Sequence, residues 1–326
     1  MSRITGYQQS ILNFIKKKSC FGKIIENNDE INEIINNCDF FISIILVTIV
    51  NSQNKKKKIK THCGYFMACG IVLMVLIADI LDNEKYYEKY DKNTIDILLN
   101  KSIICIFKCL NQNMQSLEGI SEKEKDRVIK TYQLTANYIF SKLLKITEKE
   151  KLEYCDYFKK IDIITYHFEN KEKVESKLKK LKKVDQYTLL NYVDRKYGFI
   201  CQCSFVLGWL LGLGEEKMIP NLEKLGTYLG IIIKISNDFS NLERDIEYSD
   251  IYSKNMIVNY GIHNCFQIFM DNKTKLLEGT IEMNIYTNTI KEIIDSIEKK
   301  FDICLKNTDL ELRSVYSSYA ESLQTK

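Results

Sequence analysis

Apolar residues recur at three- and four-residue intervals in nearly every stretch of the chain, and nowhere does the every-second-residue alternation of a half-buried strand persist. The pattern predicts roughly ten to a dozen helices. Their expected spans are residues 6–18, 27–51, 61–81, 93–116, 122–146, 149–168, 170–181, 184–212, 219–244, 252–271 and 284–322. Local chemistry marks several ends. Ser121 followed by Glu124 reads as a capping box, and Pro220 stands where a first-turn proline forfeits no hydrogen bond. Gly212 and Gly214 follow an apolar run, where a left-handed cap would stop a helix. Connections are short, with no Gly/Ser/Pro linker, repeat or composition break, so residues 1–326 read as a single all-α domain.

Composition strengthens that reading. One proline, Pro220, in 326 residues is what a helical chain allows, and 45% hydrophobic residues can bury a large core. The charge of +4 comes from 47 basic and 43 acidic residues, a mixed surface that gives no case for nucleic acid. The lysine runs at Lys16 to Lys18, Lys55 to Lys60 and Lys177 to Lys183 read first as solvated faces. Eleven cysteines are scattered without a Cys-x-x-Cys module, and His62, His167 and His263 are far apart. Reduced thiols and a cytoplasmic location are expected, and a structural zinc site is not. The apolar run Phe40 to Val50 is too short to span a bilayer. The run Tyr65 to Leu81 is broken by glycine and ends among acids, so both are expected to be core helices and no transmembrane segment is expected.

The stretch from Lys196 to Ile262 carries a more specific signal. Lys196-Tyr197-Gly198 opens an apolar helix, a Gly-containing apolar helix follows, NDFSN at Asn237 to Asn241 closes it, and Lys254 lies downstream. The order and spacing of these elements resemble the polyprenyl synthetase family, the trans-isoprenyl diphosphate synthases, together with the class I terpene synthases. KKKIKT, Lys56 to Thr61, is similar to that family's first basic segment, with Lys57, Lys58 and Lys60 at the basic positions. NQNMQ, Asn111 to Gln115, falls where the family places its first Asp-rich motif. The resemblance implies a class I isoprenoid synthase-type bundle around a central apolar cavity, a prenyl diphosphate substrate, Mg²⁺, and a homodimer or a heterodimer with an active synthase.

Such chemistry breaks an allylic carbon–oxygen bond, so metal ions and basic groups must hold the departing diphosphate. Asn237, Asn241 and Asp245 are spaced to lie on one helical stripe, and each offers a side-chain oxygen. The resemblance assigns them the catalytic, metal-binding role. It places Lys57, Lys60, Lys196, Lys234, Arg244 and Lys254 at the diphosphate. The first motif departs from the pattern, because Asn111, Gln112 and Gln115 supply amides where carboxylates would neutralise Mg²⁺. Asp79, Asp82 and Glu84 form a displaced acidic string one helix too early. Aromatics such as Phe107, Phe199, Phe205, Trp209 and Tyr228 could line a hydrocarbon pocket, although most such rings are core. The leading expectation is a divergent terpene synthase or prenyltransferase that ionises a prenyl diphosphate with Mg²⁺. The alternative is an inactive homologue acting as a regulatory subunit or binding protein.

Overall fold

The strongly apolar stretch 199–240 lies at the centre of the computed structural model. The structure describes residues 2–17, 29–36, 40–57, 64–73, 92–114, 121–142, 176, 178–242, 245–246 and 251–307. Within these, the helices in chain order are α1 (Arg3–Lys17), α2 (Asp29–Asn36), α3 (Phe41–Lys57), α4 (residues 64–73), α5 (Lys92–Met114) and α6 (Glu122–Ser141). They continue with α7 (Gln186–Val193), a π-turn at Asp194–Gly198, α8 (Phe199–Leu211), a 3₁₀ turn at Glu216–Met218, α9 (Ile219–Ser240), α10 (Met256–Glu282) and α11 (Asn288–Asn307). The only extended pairing among the described residues is an isolated parallel bridge between Lys182 and Tyr252. The fold is all-α, as the periodicity predicts.

Helix α9 is the hub, packed by α8, α10 and α11, and α8 in turn packs on α3. Side chains from α1 through α11 share one buried apolar cluster, in which Phe205, Phe269 and Phe301 are almost wholly enclosed. The apolar run at the start of α3 is a core helix, and no helix among the described residues is long and apolar enough to cross a membrane. The described cysteines, Cys69, Cys105, Cys109, Cys201, Cys203, Cys265 and Cys304, are buried and not disulfide-bonded.

The contact between α8 and α9 is backbone against backbone. A Cβ on Gly226 would lie 2.3 Å from Gln202 N, and one on Gly230 would lie 2.5 Å from Gly198 N. Two glycines one turn apart thus press onto two successive turns of the partner. A polar cluster pins the same crossing: Gln202 Nε2 donates to Asp194 Oδ1 at 3.0 Å and Thr227 Oγ1 donates to it at 2.7 Å. Asp194 opens the π-turn, whose wider loop closes when the Phe199 N–H reaches the Asp194 carbonyl.

Several sequence expectations change here. The helix expected over 27–51 is two helices, and Phe40, just ahead of α3, has φ 57° although it is not glycine. Its full burial holds it in that conformation, a tertiary override that propensity does not signal. The left-handed residue after α8 is Leu213 (φ 60°) and not a glycine. Gly212 and Gly214 serve close approach instead, since a Cβ would lie 2.7 Å from Gln53 Cγ or 2.0 Å from Trp209 Nε1. The helix expected over 252–271 runs to Glu282, bent at Gly261 (φ 78°, ψ 166°). The helix expected over 149–168 lies outside the described residues.

Gly230→Ala should lower stability by about 1–3 kcal/mol in chemical denaturation, because its methyl meets backbone that cannot rotate away. Gly6→Ala, with nothing within 4 Å, is the control and should be neutral or stabilising.

Candidate functional site

The C-terminal half of α9 is buried on all sides over residues 232–239, with Ile232, Ile233, Ile235 and Phe239 in the core, yet it carries Lys234 and Asp238 at 5% and 3% exposure. Four residues apart, they fall on one face and form an ion pair from Lys234 Nζ to Asp238 Oδ1. The ammonium also lies 5.3 Å from the Tyr197 ring centroid. The second carboxylate oxygen, Asp238 Oδ2, accepts the Met256 N–H at 2.7 Å, the first amide of α10. Asp238 thereby neutralises a buried cation and the positive end of a helix at once. Burial lifts its carboxyl to about 6, with Lys234 opposing that shift and Asp245 adding to it.

Asn255 completes the joint. Its Oδ1 caps α10 by accepting from Ile257 N at 2.9 Å and Val258 N at 3.3 Å. Its Nδ2 donates to the Asp238 carbonyl at 2.8 Å and to Asp245 Oδ2 at 2.9 Å. One turn on, the buried Asn259 accepts from Val184 N at 2.8 Å and donates to the Ser253 and Asn255 carbonyls, both at 2.8 Å. The two asparagines thus tie the bridge segments at Lys182 and Tyr252 to the end of α9.

Of the residues expected on one helical stripe, only Asn237 lies within α9, which ends at Ser240 and not at 244, yet local backbone bonds still link all three. Asn241 N–H reaches the Asn237 carbonyl at 2.9 Å and Asp245 N–H reaches the Asn241 carbonyl at 2.9 Å. Their side chains, however, have different commitments. Asn237, 5% exposed, accepts from Lys300 Nζ of α11 through its Oδ1 at 2.7 Å, and its Nδ2 has no partner. Asn241 is the C-cap of α9 with φ −104° and is half-buried, and Asp245 is held by Asn255. Lys234, expected to face a diphosphate, is instead paired with Asp238.

The other expected residues are dispersed. Lys254 is exposed, 5.0 Å from the Tyr192 ring centroid. Lys57 ends α3, Lys196 lies in the π-turn, and Gln112 lies in the last turn of α5 beside the exposed Asn111. Lys58, Lys60, Arg244, Gln115, Asp79, Asp82 and Glu84 lie outside the described residues. Phe107 is 51% exposed and meets Phe140, so it belongs to the surface and not to a pocket.

These donors suit Mg²⁺ poorly. It takes carboxylates and waters in octahedral array, whereas here an ammonium already bonds the Asn237 oxygen and the two Asp238 oxygens are bonded by Lys234 and Met256 N. No cluster of three acidic, histidine or cysteine side chains able to hold a metal occurs among the described residues.

Sequence reasoning passed over Asp238, Asn255, Asn259 and Lys300. Signals existed for two of them. Opposite charges four apart inside an apolar run point to a buried pair, and an asparagine just before Met-Ile-Val is a helix-start residue. Lys300 gave none, since it reads as one of several lysines on the polar side of an amphipathic helix.

Two outcomes follow. Asn255→Ala should cost about 1–3 kcal/mol in denaturant unfolding, because it removes a helix cap and strands acceptors of Asp238 and Asp245. Folding raises the Asp238 pKa from 3.8 to about 6, so the folded state binds that proton more tightly than the unfolded chain. The carboxyl's contribution is therefore fullest below its unfolded value and is lost as pH rises through about 6. In pH-dependent thermal unfolding, the fall in midpoint across that window should be smaller in Asp238→Asn.

No protein-family model matches the chain, and no curated protein matches it by sequence. Solved structures do. Over 92% of this chain and 99% of the other, it superposes on a geranyltransferase from Helicobacter pylori 26695 with 10% identity and a TM-score of 0.53. With an FPP/GFPP synthase from Zymomonas mobilis, 91% of this chain and 98% of the other superpose, with 8% identity and a TM-score of 0.50. Coverage of nearly both whole chains at such low identity speaks to architecture. The chain has the fold of the trans-isoprenyl diphosphate synthases.

Proposed function

We propose that this protein is a non-ionising member of that fold, which binds a prenyl diphosphate and acts as a regulatory or binding subunit without breaking the carbon–oxygen bond. The observation that carries the reading is the Lys300 ammonium on Asn237 Oδ1. Ionisation leaves a diphosphate whose growing negative charge requires metal cations held by carboxylates. At the second motif, the position expected to lead that set offers an amide oxygen already engaged by a cation, which would repel a second one. At the first motif, NQNMQ has no carboxylate. Loss at two separated positions argues for a change of role more strongly than either loss alone.

The competing reading, an Mg²⁺-dependent terpene synthase or prenyltransferase, draws on Asp245, a half-buried carboxylate one turn beyond Asn241. One carboxylate bonded to Asn255 is thin support for a metal cluster.

The reading is tested by incubating the protein with geranyl, farnesyl or geranylgeranyl diphosphate and Mg²⁺, with and without isopentenyl diphosphate, while measuring diphosphate release. Release no faster than in buffer is expected for every chain length. Mg²⁺-dependent release that disappears in Asp245→Ala would return the chain to the enzymes.

A further inference from the structure

The extended pairing of Lys182 with Tyr252 presents side chains that the core does not use. Lys182 N–H donates to the Ile251 carbonyl at 2.7 Å, which lays the run 181–184 beside the run 251–255. Each run turns part of its side chains inward. Leu181, Ser253 and Asn255 are buried, and Asn259 holds both runs down by accepting from Val184 N and donating to the Ser253 carbonyl. The rest face outward. Lys182 and Lys254 are exposed, Ile251 and Tyr252 are each 54% exposed, and Tyr187, in the first turn of α7, is 78% exposed. Lys254 lies 5.0 Å from the Tyr192 ring centroid and so ties the second run to α7, which makes these side chains one surface.

Charge is concentrated on that surface. Lys179, Lys180 and Lys182 are exposed and Lys183 is half-buried, and the only acid in residues 178–185 and 251–255 is Asp185. The Asp185 carboxylate is committed to the cap of α7, accepting from Thr188 N at 3.0 Å. The run that reads in sequence as a plain solvated face therefore stands beside two tyrosines and an isoleucine that are also in water. Turning those apolar groups inward would break the buried asparagine bonds beneath them.

This combination selects a partner. Protein interfaces are enriched in arginine and depleted in lysine, and every cation in these two runs is lysine. The headgroup zone of an anionic bilayer attracts lysine by charge, and it seats tyrosine with the ring among the lipids and the hydroxyl in water. Two tyrosines and one isoleucine supply little apolar contact, so attraction between charges must carry much of the binding. Such binding is reversible and weakens with salt.

We propose that Lys179, Lys180, Lys182, Tyr187, Ile251 and Tyr252 form a docking surface for an anionic lipid bilayer. The surface holds whether or not the chain ionises a prenyl diphosphate, so the failure of either reading leaves the other standing.

The test is co-sedimentation of the full chain with vesicles of pure phosphatidylcholine, and separately with vesicles in which about one-third of the lipid is phosphatidylserine. Binding is expected only to the anionic vesicles and should fall steeply as salt rises from ~0.05 to ~0.5 M. Replacing Lys179, Lys180 and Lys182 together by Gln should weaken it about tenfold or more. The same loss of charge at Lys123, Lys224 and Lys299, which are exposed on α6, α9 and α11, is the control and should change it little. Ile251→Ser with Tyr252→Ser should weaken binding about threefold or more while leaving its salt dependence as in the wild type. All these side chains are exposed, so circular dichroism should show every variant folded. Absence of binding to anionic vesicles at low salt overturns the surface, as does equal binding to pure phosphatidylcholine. Equal loss in the control variant also overturns it, because net charge and not this patch would then be responsible. An acidic protein partner is the remaining occupant, represented by soluble polyglutamate. If polyglutamate displaces the vesicles and the Ile251 and Tyr252 substitutions have no effect, the surface serves that partner and the bilayer proposal fails.

Discussion

A lysine and an aspartate, both more than nine-tenths buried on one face of α9, set the terms for everything around them. Two charges in a low-dielectric interior are costly to desolvate, and removing either would strand the other. The arrangement holds because each charge has a further partner. The ammonium lies by the face of Tyr197, and the carboxylate takes the first amide of α10. Through that amide the ion pair determines where α10 begins, and Asn255 repeats the linkage from the other side by bonding to the Asp238 carbonyl and to Asp245. Helices α9 and α10 are therefore joined by satisfied polar groups at core depth, which tolerates little rearrangement.

The same helix meets its other neighbours by different means. Against α8, Gly226 and Gly230 let the backbones touch, so sterics set the register, and the Gln202–Asp194–Thr227 side-chain cluster pins it. Against α11, the contact runs through Ser236 to the Ile297 carbonyl, Asn237 to Lys300, and Phe239 to Phe301. Partner positions rise together along the two helices, so α9 and α11 run in the same direction at this face. It is this packing that delivers Lys300 to Asn237. A fold shared with prenyl diphosphate synthases thus carries, at a position where that fold family's pattern leads one to expect a metal ligand, a cation supplied by the protein's own chain.

Much of this was legible before any coordinates. Period-3.6 apolar spacing without alternation gives helices, and a first-turn Pro220 marks the start of α9 within a residue or two. The breaks were harder. Phe40 and Leu213 adopt positive φ without being glycine, because burial of Phe40 and the carbonyl contacts around Leu213 outweigh the local strain. The glycines near Leu213 were visible but meant something else, room for Gln53 and Trp209. At the site, backbone bonds link Asn237, Asn241 and Asp245 in turn, but α9 stops at Ser240, so the single helical stripe expected from their spacing ends at the Asn241 cap.

What the sequence determined by itself, then, is the helical class, the order of the elements and the depth of the NDFSN segment, all of which follow from periodicity and from short-range backbone bonding. Tertiary structure alone decided which partner each polar group took. Lys234 turned to Asp238 and not outward, and Asn237 met a lysine 63 residues away. Spacing specifies which face of a helix a side chain occupies, but the charge that meets that face comes from another helix. Its arrival depends on the packing of the whole bundle.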